Sequence, residues 1–168
     1  MIHLITGGAR SGKSGYAGKL ALQGDNSPIY TATARHWDED FSDRIRHHQL
    51  NRGPEWENLE IEKRISAVKI NSRWVVIDCV TLWLTNIFYD NKQDLQKSLH
   101  EAQQEIDQVV LRQEINWILV TNELGMGLHA ETAIGRKFID LQGWTNQYLA
   151  QKSDKVTLMI SGIPVQIK

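Results

Sequence analysis

Eight residues near the start of the chain, Gly7-Gly8-Ala9-Arg10-Ser11-Gly12-Lys13-Ser14, restrict the fold more than any other stretch. They read Gly-x-x-x-x-Gly-Lys-Ser, the phosphate-binding P-loop, lying between an apolar run at residues 2–6 and a helical pattern from about residue 13 to 24. The spacing has a physical cause. Glycines let consecutive backbone N–H groups turn inward around a triphosphate, and the helix that follows points its positive end at the same anion. Lys13 then reaches the outer phosphates, and Ser14 offers a hydroxyl to magnesium. Gly-rich turns with a basic residue also arise in ordinary loops, but the strand-to-helix setting is the one the motif requires.

The same alternation continues down the chain. Short runs rich in β-branched residues recur at 29–33, 74–78, 117–121 and 156–161, separated by helical spacing at about 39–52, 94–114 and 132–151. Near-continuous apolar strands alternating with helices predict an α/β fold with a parallel sheet covered on both faces and right-handed crossovers. The last segment breaks the pattern. Gly162-Ile163-Pro164 bends the chain, so residues 165–167 are expected to return as an antiparallel edge strand, while 56–62 reads as either extended or loop.

At 168 residues the chain is expected to form one domain, 1–168, with a sizeable core. A net charge of −1 gives no footprint for nucleic acid, and no apolar run approaches the ~18 residues of a membrane span. No membrane insertion and a cytoplasmic location follow as expectations. The single cysteine, Cys79, lies in an apolar run and is read as buried and inert.

Two further groups carry chemistry. Asp78 ends the apolar run Trp74-Val75-Val76-Ile77, the form of an acid that holds the magnesium shell; the competing reading is a cap for a helix containing Leu82 and Leu84. The second group is Arg44-Ile45-Arg46-His47-His48-Gln49-Leu50-Asn51-Arg52. At helical spacing His48 continues an apolar stripe with Phe41 and Ile45, whereas His47 shares a face with Arg44 and Asn51. Adjacent helical histidines do not face one ion, which argues against a metal pair. An imidazole is partly neutral near pH 7 and its lone pair can attack phosphorus, so His47 among arginines reads as a nucleophile toward a nucleotide. Asp38-Glu39-Asp40 fits a helix start. Gly125-Met126-Gly127 reads as a turn beside the site, and Asn122 and Glu123 as polar groups at its rim or as strand-end hydrogen-bonding residues. No Asn-Lys-x-Asp stands there to read guanine as in Ras-type switches.

With these motifs in order, the chain resembles the bifunctional adenosylcobinamide kinase / adenosylcobinamide-phosphate guanylyltransferase family. The resemblance runs through residues 6–14, Tyr30-Thr31-Ala32-Thr33-Ala34, Arg44-Ile45-Arg46-His47-His48, Asp78-Cys79-Val80-Thr81-Leu82-Trp83-Leu84-Thr85-Asn86, Thr121-Asn122-Glu123-Leu124-Gly125-Met126-Gly127, Gly135-Arg136-Lys137-Phe138-Ile139-Asp140, Gly143-Trp144-Thr145-Asn146-Gln147 and Ser161-Gly162-Ile163-Pro164. It implies a RecA-like P-loop NTPase sheet ending in an antiparallel hairpin, and a homotrimer. It also implies two reactions, phosphorylation of adenosylcobinamide by ATP or GTP, then transfer of GMP from GTP through a guanylyl-histidine at His47. Nucleotide binding is implied at Gly7, Gly8, Ala9, Arg10, Ser11, Gly12, Lys13, Ser14, Thr31, Ala32, Thr33, His48, Arg52, Glu60 and Asp78, with Mg2+ at Ser14 and Asp78 and catalysis by His47 and Lys13. Two departures stand out: Leu128-His129-Ala130 replaces an Ile-Val-Pro type sequence, and Gly15 replaces a larger residue. Apart from the resemblance, a P-loop kinase of another small metabolite and a RecA-like regulatory ATPase remain open.

Overall fold

Five apolar runs of strand length need partners on both sides, and the computed structural model shows how they find them. It describes residues 1–35, 53–69 and 71–168. Among these, β1 (Ile2–Gly7), β2 (Ile29–Ala32), β3 (Glu57–Glu60), β4 (Trp74–Asp78), β5 (Asn116–Val120), β6 (Lys155–Ile160) and β7 (Ile163–Gln166) form one sheet in the order β3-β2-β4-β5-β1-β6-β7. All neighbours are parallel except β6 and β7, which pair antiparallel. This is the mostly parallel α/β sheet with a C-terminal hairpin that the alternation predicts. The expected helix over 39–52, with Asp38-Glu39-Asp40 at its start, lies outside the described residues.

Side-chain alternation divides the sheet between two cores. Helix α1 (Lys13–Gly24) buries Ala17 and Ala21 against Ile5, Tyr30, Val76, Ile118 and Val120 on one face. The opposite face, with Leu4, Ile29, Val75, Ile77, Trp117 and Leu119, packs against α2 (Val80–Asp90), α3 (Leu95–Leu111) and α4 (Ala133–Lys152). Helix α2 buries Val80, Trp83, Leu84, Ile87 and Phe88. So apolar a helix gives little periodicity to read, and burial explains why. Helices α3 and α4 start where caps allow: Asp94 accepts from the Lys97 N–H and Thr132 from the Gly135 N–H.

The fold decides one reading left open and corrects another. Residues 57–60 resolve as a parallel edge strand, with Ile29 opposite Glu57 and Ala32 opposite Glu60. The returning strand begins at Ile163 rather than 165, because Ile160 and Ile163 pair directly across the Ser161-Gly162 turn. Both turn residues take positive φ, 51° and 84°, a conformation matched to the twist of antiparallel strands. Pro164 is tolerated since β7 is an edge strand.

Candidate active site

In a parallel sheet the strand carboxyl ends share one edge, and loops there meet a common ligand. The P-loop leaves that edge from the end of β1. Gly7 has φ 149°, Arg10 57° and Gly12 93°; Gly12 occupies the N-cap of α1 with no side-chain cap hydrogen bond. The first N–H groups of the helix are thus left for an anion. Neighbouring segments brace the loop from both sides. The Gly162 N–H donates to the Ser11 carbonyl at 2.9 Å, and the Glu123 N–H donates to the Gly7 carbonyl at 3.1 Å.

Lys13 folds back over this cradle, donating to the Gly8 carbonyl at 2.5 Å and to Ser11 Oγ at 3.4 Å. The side chain is buried. Burial lowers its pKa, while the Asp78 carboxylate and the neighbouring Cys79 group pull it back up. An ammonium held by a carbonyl and a hydroxyl has surrendered hydration that a phosphate would restore, so the ligand gains a partner already desolvated.

Asp78 closes β4 at the same edge, opposite Ala32 of β2 and Val120 of β5. Its carboxylate accepts a hydrogen bond from the Tyr30 hydroxyl. It does not cap α2: the N-cap position belongs to Cys79, without a side-chain bond. The Asp78–Cys79 peptide is cis. Cys79 is buried, and burial with the nearby Asp78 pushes its thiol up to about 12. That is the inert cysteine expected from the sequence.

Thr31 and Ala32 end β2 beside Asp78, Thr33 follows directly, and all three are buried. The Thr33 hydroxyl donates to the Cys79 carbonyl at 2.7 Å and accepts from the Cys79 N–H at 3.0 Å, so it ties β2 to the β4–α2 junction. Thr31 Oγ1 is buried without a hydrogen-bond partner among the described residues. Glu60 ends β3, in register with Ala32 and hence with Asp78. At ~4.8 Å per strand the two acids stand about 10 Å apart along one edge and on one face. His47, His48 and Arg52 lie outside the described residues.

Sequence reasoning missed the supports. Asn86, fully buried, donates from Nδ2 to the carbonyls of Thr33 and Glu62 at 2.8 and 2.9 Å, clamping the ends of β2 and β3. At the end of β5, the Thr121 hydroxyl donates to Asn146 Oδ1 at 2.8 Å, and Gln142 Nε2 donates to both. Asn146 Nδ2 also donates to the Asn122 carbonyl, and the Asn122 N–H to Thr81 Oγ1. These bonds fix the backbone whose Glu123 N–H holds Gly7. The signal in the sequence was slight: Asn86 stands in an otherwise apolar helix, but Gln142 and Asn146 stand among the many polar residues of α4.

Ser14 and Asp78 are hard oxygen donors, the kind magnesium takes one or two of while keeping the rest of its shell for phosphate and water. No helix among the described residues is long and apolar enough to cross a membrane.

Known proteins place the chain in a family. The family model for cobinamide kinase / cobinamide phosphate guanyltransferase matches residues 3–167. The chain is 36% identical to the bifunctional adenosylcobalamin biosynthesis protein CobU of Escherichia coli, with all of both chains covered. It is 34% identical to the bifunctional adenosylcobalamin biosynthesis protein CobP of Pseudomonas aeruginosa, covering 100% of this chain and 98% of the relative. Among solved structures, the flagellar accessory protein FlaH of Methanocaldococcus jannaschii superposes with a TM-score of 0.53 at 11% identity, covering 99% of this chain and 77% of that one, a likeness of fold alone. From a P-loop braced at both ends and a match that runs the length of the chain, it follows that this protein belongs to the cobinamide kinase / cobinamide phosphate guanyltransferase family.

Proposed function

We propose that this chain is a nucleotide-dependent transferase that runs two reactions at one cradle: phosphorylation of adenosylcobinamide, then transfer of GMP from GTP onto the resulting phosphate. The single observation that carries the reading is the buried Lys13 ammonium, held over the P-loop with Asp78 at the same edge.

In the kinase step the loop amides and Lys13 hold the β- and γ-phosphates. The acceptor hydroxyl of cobinamide forms an oxygen–phosphorus bond to the γ-phosphoryl as its bridge to the β-phosphate breaks. In the second step the His47 lone pair attacks the α-phosphorus of GTP and pyrophosphate departs toward the cationic loop. An oxygen of cobinamide phosphate then displaces the imidazole, giving adenosylcobinamide-GDP. Splitting the transfer puts a neutral nucleophile first and avoids a direct encounter of two anions. Ser14 and Asp78 would hold Mg2+, which supplies charge neutralisation on the phosphates. Tyr30 orients the acid through its hydrogen bond. Thr31, Ala32, Thr33, His48, Arg52 and Glu60 complete the nucleotide contacts in this reading. One domain carries both reactions in a cytoplasmic homotrimer, for which Ile160, Ile163, Val165 and Ile167, all exposed, supply an apolar face for subunit contact.

The test uses GTP labelled in the α-phosphate, with magnesium, on wild type, His47→Ala, His48→Ala and Lys13→Ala. Wild type is expected to take up acid-labile, alkali-stable label, His48→Ala to keep the attachment site, and His47→Ala to lose label while retaining the kinase step. Lys13→Ala should impair both reactions. Label that persists in His47→Ala would remove the histidine from the mechanism; a plain kinase or a regulatory ATPase would take up none in any form.

A further inference from the structure

The acceptor of this chemistry is far larger than its reacting group, so most of it must rest outside the nucleotide cradle. We propose that the loop between β5 and α4, residues 124–130 with the first turn of α4, is the seat on which the corrin ring of the acceptor rests; the proposal rests on the cobinamide reading above.

Reach comes first. The reacting hydroxyl must arrive at the terminal phosphate held by residues 8–13, and the ring is joined to that hydroxyl through one side-chain arm. The ring therefore lands within an arm's length of this edge. The β5–α4 loop begins there, since the Glu123 N–H is bonded to the Gly7 carbonyl at 3.1 Å.

The loop's surface then matches the ligand. A corrin is a broad disc with apolar faces and an amide-bearing rim. Met126 is 78% exposed, Leu128 96% and Ile134 50%. A lone exposed leucine is ordinary, but three large apolar side chains within nine residues beside an active site mark a contact surface. Beside Leu128 lies a hollow of about 290 Å³ lined also by Leu124, His129, Arg136, Ile139 and Asp140. It is too small for the whole ring and suited to one edge of it, where the Asp140 carboxylate can accept from rim amides. The platform is held in shape: Arg136 Nη1 donates to the Ala130 and Glu131 carbonyls at 3.0 and 2.8 Å, and Thr132 caps α4.

The other exposed apolar strip also touches this edge, where the Gly162 N–H bonds the Ser11 carbonyl at 2.9 Å, but its length leads away from the phosphates. Along β7 it runs from Ile163 at the site end to Ile167, whose N–H bonds the Val156 carbonyl near the start of β6 at the far end of the sheet.

The experiment compares wild type with Met126→Asp, Leu128→Asp and, on β7, Val165→Asp. Each is assayed for cobinamide phosphorylation, for self-labelling by GTP without corrinoid, and for assembly size by light scattering. Leu128→Asp and Met126→Asp are expected to raise KM for cobinamide at least about tenfold, the loss of one apolar side-chain contact. KM for the nucleoside triphosphate and the GTP label should stay within twofold, and Val165→Asp should leave KM for cobinamide unchanged. An unaltered KM for cobinamide in both loop variants overturns the seat, as does a Leu128→Asp protein whose only change is loss of self-association. Wild type that labels with GTP yet never phosphorylates cobinamide overturns the functional reading itself, and the seat with it.

Discussion

Consider Gly7→Ala set against Gly15→Ala, the same added methyl at two places eight residues apart. Gly7 sits at φ 149°, and a Cβ there would lie 2.5 Å from the Met159 carbonyl oxygen and 2.9 Å from Ser11 Oγ. Met159 is its register partner on β6, so relief requires either prising β1 from β6 or rotating the backbone that leads into the P-loop. The strained φ costs about 1–3 kcal/mol and the overlap about as much again, together roughly 2–6 kcal/mol. Gly15, in the first turn of α1, has nothing within 4 Å of an added Cβ. There alanine relieves helical backbone entropy and should stabilise by about 0.5–1 kcal/mol. At roughly 2–4 °C per kcal/mol for a chain of this size, Tm should fall by about 5–20 °C for Gly7→Ala and rise by about 1–4 °C for Gly15→Ala. Thermal unfolding followed by circular dichroism, alongside calorimetric titration with nucleoside triphosphate, reads both. The Gly7 variant should also lose at least ~10-fold in nucleotide affinity, because Lys13 is bonded to the carbonyl of the next residue. A Gly7→Ala protein within about 0.5 kcal/mol of wild type, the ordinary range for a surface substitution, would refute the close approach of β6 to this glycine.

Cys79 should resist a disulfide reagent at pH 8 in the native state, since burial raises its thiol to about 12. Reaction is expected at least ~100-fold faster in urea, and a native thiol that reacts at the unfolded rate would contradict the packing. Asp90 contributes a pH dependence. The Arg35 guanidinium, bonded at 2.9 and 3.1 Å, and then Lys63 hold its carboxyl down at about 2 against an ordinary 3.8. The stabilisation is therefore present above pH 3.8 and lost as pH falls toward 2. With the carboxylate about a third exposed, solvent screening leaves about 1 kcal/mol. Urea midpoints between pH 5 and 2 should fall less steeply in Asp90→Asn, and parallel curves would exclude the pair as a source of acid sensitivity.

The nucleotide cradle was legible in the sequence because its information is local: glycines at the turn, an apolar strand before, a helix after. Asp78 was legible for a related reason, an acid ending an apolar run, but only the fold shows that Cys79 takes the N-cap position and that the Asp78 carboxylate has another partner. That partner is Tyr30, 48 residues away. The supports Asn86, Gln142 and Asn146 were hidden because an amide residue looks the same in sequence whether it is buried and clamps a distant carbonyl or faces solvent.

What the chain alone determined is what short-range geometry dictates: a P-loop at residues 7–14, apolar strands of the right length, and the resemblance that long motifs in order carry. What tertiary structure decided is pairing. Glu57-Asn58-Leu59-Glu60 has little intrinsic preference for a strand, yet it becomes one because β2 offers an unfilled ladder beside it. The turn at Ser161-Gly162 likewise gains its role only where its N–H meets the Ser11 carbonyl, 151 residues from home. Such contacts depend on which surfaces fold together, and no local pattern of residues encodes them.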